Sequence, residues 1–217
     1  MAKNRDTLIS RLTLLLYLQI AGLICSLLTY IPLGSTLLQW LQRICNAGSI
    51  VCLFMVAFAG RRYLTAAIFG SAQFALALCQ DGIALWSRMM LLQGVLSVEE
   101  MLKYNNFGAA LNLIAGIAGT IYIYQLYRAH AELVKELDAS LSRKWKRLFG
   151  WELLAGILIS VASMIFATIY VGMGGNMPLL SSAFYTLIYI PSHIVTLISI
   201  LYLKRTIRLL QSSEESQ

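Results

Sequence analysis

Six stretches of this chain are apolar without any alternation of polarity: 12–31, 44–60, 64–80, 107–127, 151–171 and 181–203. A helix needs about 20 apolar residues to cross the hydrocarbon of a bilayer, so each stretch predicts a transmembrane helix. The second and third are short as drawn, and each can extend outward, through 36–43 and 81–92. Spanning strands are excluded, because a barrel alternates polarity residue by residue. The predicted fold class is all-α, a polytopic transmembrane helix bundle of six spans forming one integral membrane domain over 1–217. The N-terminal run is too long for a signal-peptide core and predicts an uncleaved first span.

Two segments between the spans keep a helical period while carrying charge. In the amphipathic segment 82–106, Ser97 and Glu100 have the spacing of a capping box, which predicts a helix starting near Val98 and running into the fourth span. Trp86, Met89, Met90 and Leu92 suit an interfacial or extended third helix. The other segment is "RAHAELVKELDASLSRKWKRLFGWELL", 128–154. Its Leu133, Leu137, Leu141, Trp145 and Leu148 recur at helical spacing. If the fourth helix continues to about residue 141, it projects roughly 20 Å beyond the membrane. The expectation is a basic amphipathic helix over 128–148 lying on anionic headgroups. Trp145 and Trp151 would be its interface anchors, and Arg143, Lys144, Lys146 and Arg147 would face lipid or a docking partner. Residues 211–217 are expected to be a disordered tail.

Composition and charge fix the setting. The chain is 59% hydrophobic and 12% charged, against about 45–50% and about 25% in soluble domains. A net charge of +7 would suggest nucleic acid in a soluble protein, but no nucleic-acid module is present. With the N-terminus inside, the inner cations are Lys3, Arg5, Arg11, Arg61, Arg62, Arg128, Lys135, Arg143, Lys144, Lys146, Arg147, Lys204, Arg205 and Arg208. Arg43, Arg88 and Lys103 are the outer ones, a division of 14 against 3 among the 17. The positive-inside rule then places both termini in the cytoplasm, in a plasma membrane expected to be bacterial. Cys25, Cys45, Cys52 and Cys79 lie in apolar runs and make no metal spacing. Cys45 and Cys79 both fall near the outer surface, close enough in depth for a disulfide to be conceivable.

A weak internal repeat relates "LQRICNAGSIVCL" (41–53) to "MLKYNNFGAALNL" (101–113). Arg43 matches Lys103, Asn46 matches Asn106, and Gly48 matches Gly108. The first two helical hairpins would then be related, with Asn46 and Asn106 at equal depth. Small and polar residues also recur three or four apart within the spans, one stripe per helix face. The stripes run through Gln19, Gly22 and Ser26; through Gly70, Gln73 and Ala77; through Gly108, Asn112, Gly116 and Gly119; through Glu152, Gly156 and Ser160; and through Tyr185, Tyr189, His193 and Thr196. Such stripes either pack helices together, since lipid offers no hydrophobic drive for association, or line a polar cavity.

The candidate ligand surface is Tyr185, Tyr189, His193, Gln73 and Asn112, with Pro191 kinking the sixth span beside it. A second polar cluster is expected at the outer surface: Asp81, Arg88, Asn46 and Asn106, with Asp81 pairing with Arg88. Glu152 is expected to be a paired carboxylate near the cytoplasmic interface. No HExxH, GxSxG, P-loop or paired intramembrane aspartate is present, so no enzyme, metal or cofactor is expected. Glu99, Glu100 and Tyr189–His193 fall short of the intramembrane CAAX-protease pattern, because Tyr104 stands where its Arg belongs and Tyr189 where its Phe belongs. In size, span number and topology alone, the chain resembles the substrate-binding subunits of energy-coupling-factor vitamin transporters. The reading that results is an integral membrane protein that binds or transports a small solute. Its alternative is an accessory or scaffold subunit docking a partner through 128–148, and a small-residue face such as Gly108–Asn112–Gly116 can serve either within one bundle or between copies of the chain.

Overall fold

The computed structural model describes residues 2–29, 35–95, 97–172, 184 and 186–215. Every element among them is helical: α1 (Ala2–Leu28), α2 (Ser35–Val56), a 3₁₀ turn (Ala57–Ala59), α3 (Arg61–Leu92), α4 (Val98–Leu133), α5 (Ala139–Gly172) and α6 (Ile190–Glu215). Six helices are long and apolar enough to cross a membrane, the last apolar run being Thr186–Ser213. Each helix packs against the next in sequence, and α6 returns to α1, so the six close into a ring.

Local chemistry sets the helix ends. Ser97 accepts the Glu100 amide while the Glu100 carboxylate accepts the Ser97 amide, the reciprocal box that the spacing predicts. Gly94 sits at φ 72, where a side chain would be strained. Its N–H donates to the Leu91 carbonyl and that of Val95 to Met90, which closes α3 as a Schellman turn. Segment 82–106 is therefore the end of α3, a tight turn and the start of α4, with Trp86 edge-on to Tyr104 at 5.0 Å. Pro191 has no N–H to continue a helix through Tyr189, and a turn at Tyr189 separates residues 186–188 from α6.

The segment 128–148 differs from the expected single helix. α4 stops at Leu133, residues 134–138 turn, and α5 begins at Ala139. Asp138 is the reason: its side chain accepts the Leu141 amide at 2.9 Å as an N-cap and pairs with Arg205 of α6 at 2.8 Å. The apolar stripe consequently turns inward. Leu141, Trp145 and Leu148 are buried, so Trp145 is a core residue, whereas Trp151 is exposed. Arg143, Lys144, Lys146 and Arg147 form the exposed face of the same turns. The tail expected to be disordered is helical as far as Glu215, and residues 216–217 lie outside the described residues.

Both chain ends and this basic turn share one end of the ring, here termed the basic end. Arg5 donates to the Leu210 carbonyl at 2.8 Å, Arg11 donates to the Met55 carbonyl, and Arg62 pairs with Glu132 at 2.6 Å. The core fills this half of the bundle, with Leu12, Leu15, Leu53, Val56, Tyr63, Trp145 and Leu203 almost wholly buried. Large apolar side chains such as Ile117, Ile157, Met164 and Leu201 face outward, as lipid requires.

The Asp138 cap makes stability pH-dependent. The Leu141 amide, with Arg205 and the Ser140 amide adding, holds this carboxyl below its ordinary range. A depressed carboxylate contributes stability above its unfolded pKa of about 3.9 and loses it as pH falls through the folded value. The unfolding midpoint in detergent is expected to drop as pH falls below about 4. Asp138→Asn should lower the midpoint at neutral pH by a few degrees and flatten that acid limb. An unchanged limb in the variant would remove Asp138 from the account.

Candidate functional site

The helices part in the half of the ring away from the basic end, leaving a partly open cavity of about 740 Å³ to which all six contribute. The change from core to cavity falls at a common depth. On α1 the buried run ends at Leu16 and the lining begins at Leu18; on α2 the lining ends at Ile50 and the core begins at Cys52. On α3 the switch lies between Ala67 and Gly70, and on α6 it lies near Ser199 and Ile200. The packed half therefore forms a floor, and Gln39, Gln42 and Arg43 at the start of α2 stand at the far rim.

The wall is polar. Gln19, Gln39, Gln42, Asn46 and Gln73 bring carboxamides, while Ser49, Ser192, Thr196, Ser199 and Tyr127 bring hydroxyls. Some of that capacity is already used. Ser49 donates to the Cys45 carbonyl at 2.9 Å, Thr196 to Ser192 at 2.9 Å and Ser199 to Thr196 at 2.7 Å, the usual back-bonding of hydroxyls inside helices. Gln19 Oε1, by contrast, is buried with no hydrogen-bond partner among the described residues. Near the floor, Tyr127 donates to the Glu152 carboxylate at 3.3 Å.

Close packing holds two wall residues in place. A Cβ at Gly119 would sit 2.7 Å from Gln73 Nε2, and one at Gly70 would sit 3.1 Å from the Tyr122 ring. Glycine lets Gln73 lie against α4 and Tyr122 lie against α3. By contrast, nothing lies within 4 Å of a Cβ at Gly108, Gly116 or Gly156. The stripes of α1, α3 and α6 thus face the cavity, whereas those of α4 and α5 face largely outward. Outward-facing glycine and closely packed glycine look the same in a one-dimensional pattern.

The candidates from sequence divide accordingly. Gln73, Tyr189 and His193 line the cavity. Tyr185 lies outside the described residues. Asn112 is exposed on α4 and does not reach the wall. The outer polar cluster does not assemble as expected. Asp81 pairs with Arg43 of α2 instead of Arg88 on its own helix, because an inter-helix partner is closer than one turns away along α3. Asn46 belongs to the cavity wall, whereas Asn106 and Arg88 are exposed. The environments of the proposed repeat also differ, with Leu18 packed 3.2 Å from a Cβ at Gly48 and nothing near Gly108. All four cysteines are free.

Glu152 is the residue that sequence reasoning misplaced. It lines the cavity beside Tyr127 instead of pairing at the interface. A signal was present: Leu141, Trp145 and Leu148 are spaced by four and three, and the next steps along that buried face are Glu152 and Ala155. The stripe does not end with the basic run. It continues into the membrane.

No protein-family model matches the chain, and neither a curated protein nor a solved structure shows significant similarity to it.

Proposed function

We propose that this integral membrane protein binds or transports a small polar solute in the central cavity, in a bacterial cytoplasmic membrane with the basic end inward. The observation that carries the proposal is the wall itself. Five carboxamides and a carboxylate converge from four helices on one space, and its volume falls in the range of about 300–1,000 Å³ typical of small-molecule sites. A bundle whose polar groups existed only to satisfy one another would leave neither that volume nor a buried Gln19 oxygen without a donor. The orientation follows from the 14 cations gathered at one end. In this arrangement the cavity faces the outer side, and Arg143, Lys144, Lys146 and Arg147 meet anionic headgroups.

The alternative, an accessory subunit docking a partner through 128–148, has that exposed basic face in its favour. Most of the apolar stripe there, Leu141, Trp145 and Leu148, is spent on the core, which leaves Leu137 as its exposed leucine.

A thermal-shift screen of the purified protein against polar metabolites tests the proposal. At least one compound should stabilise the native chain, by about 2.7 kcal/mol at a hundredfold excess over Kd. The same compound should have no effect on Thr196→Trp, which fills the cavity. Stabilisation by no compound, or equal stabilisation of both chains, would turn the choice toward the accessory role.

A further inference from the structure

We infer that the cavity selects a cationic solute, an organic amine, with Glu152 as its counter-charge. The inference rests on the solute-binding proposal and adds the chemical class of ligand.

Two charged side chains line the cavity, Arg43 and Glu152. Arg43 at the rim is neutralised by Asp81, and its guanidinium lies 6.0 Å from the Trp40 ring centre. Glu152 has no such partner. The ion pairs among the described residues engage Asp81, Glu132, Glu99 and Asp138, and none engages Glu152. Its bond from Tyr127, at 3.3 Å, is long. An ionised carboxylate offers about four acceptor sites, so most of them stay open. A carboxylate drawn into a membrane bundle calls for a cation or several donors.

The surroundings are also lopsided in hydrogen bonding. Ser49, Thr196 and Ser199 give their hydrogens to their own helices, so they turn oxygen lone pairs, and no donors, toward the space. Tyr127 spends its hydrogen on Glu152. Gln19 Oε1 adds a buried acceptor without a donor. An ammonium group has three donors and no acceptor, the complement of this set. An anion beside Glu152 would meet its charge and these lone pairs, although the cavity also holds donors in the carboxamide nitrogens, Arg43, His193 and the hydroxyls of Ser26, Ser192, Tyr122 and Tyr189. The Tyr122 and Tyr127 rings at the same level suit a cation further.

The test reads charge preference without knowing the ligand. The full chain carrying Thr196→Cys is treated with cationic trimethylammonioethyl, anionic sulfonatoethyl and neutral hydroxyethyl methanethiosulfonates. Modification of the peptide holding position 196 is followed by mass spectrometry, and each rate is normalised to that of a free small thiol. The cationic reagent should react roughly tenfold faster than the anionic one, as expected for a single nearby charge under partial screening. That ratio should fall to near unity with Glu152→Gln and persist with Glu152→Asp. No reaction with the neutral reagent would mean that the cavity is closed to solutes, and the solute-binding proposal would fail with it. Reaction without a cationic preference while Glu152 is intact, or a preference that survives Glu152→Gln, would overturn the amine inference alone.

Discussion

Trp145→Ala is expected to be among the most destabilising single substitutions in this chain. Trp145 is the largest fully buried side chain, 1% exposed, and it joins helices at the basic end. Its ring stacks on His130 at 4.6 Å, meets Tyr202 edge-on at 5.6 Å, and donates its indole N–H to Thr206 at 3.2 Å. His130 in turn bonds Tyr63 of α3 at 2.9 Å, so one side chain ties α5 to α4, α6 and, through His130, α3. Lipid supplies little hydrophobic drive, and packing contacts carry the association instead. Truncating a buried tryptophan to alanine typically costs about 3–5 kcal/mol, enough to move a detergent unfolding midpoint by many degrees. Trp145→Phe keeps most of the stack and loses the bond to Thr206, a cost of about 1 kcal/mol. Midpoints for the two variants that coincide with the native value would mean that this cluster is not the floor of the bundle.

An all-or-none difference is expected in the orientation of the two ends. Gln93 at the C-terminus of α3 and Ser140 in the first turn of α5 are both exposed, at opposite ends of the ring. In intact cells a membrane-impermeant maleimide should label Gln93→Cys and leave Ser140→Cys untouched, read against a parent chain with its native cysteines. Permeabilisation should expose both. The reverse pattern would put the cavity mouth in the cytoplasm and invert the direction of solute access. Labelling of both in intact cells would contradict the single crossing, α4, that separates Gln93 from Ser140.

What could be read in the sequence, and what could not, divides by range. The capping box at Ser97 and the break at Pro191 were legible, because each is decided by atoms within a few residues. The end of α4 was less so. Asp138 competes with a plausible helical continuation, and Arg205, 67 positions away, helps to hold it. The pairing of Arg43 with Asp81 depended on two different helices, whereas Asp81 with Arg88 was the guess open to inspection of one.

The candidate site shows the same limit. Gln73, Tyr189 and His193 were found because polar side chains inside apolar runs are rare enough to notice. Glu152 has basic residues beside it in sequence that make an interface pair the obvious expectation, whereas the cavity and Tyr127 that it meets lie on other helices. Asn112 shares the polarity of those residues but sits on a stripe that faces largely outward.

The sequence by itself determined that the chain crosses a bilayer six times, and that its cations gather with both termini at one end. Those outcomes depend on transfer free energies and charges summed over each segment, which need no knowledge of neighbours. Only the tertiary structure decided that α1, α3 and α6 turn their polar stripes inward while α4 and α5 turn theirs largely outward, and that Glu152 meets Tyr127 above the floor. A helix face is defined by the helix packed against it, and that choice is made by contacts between residues far apart in the chain.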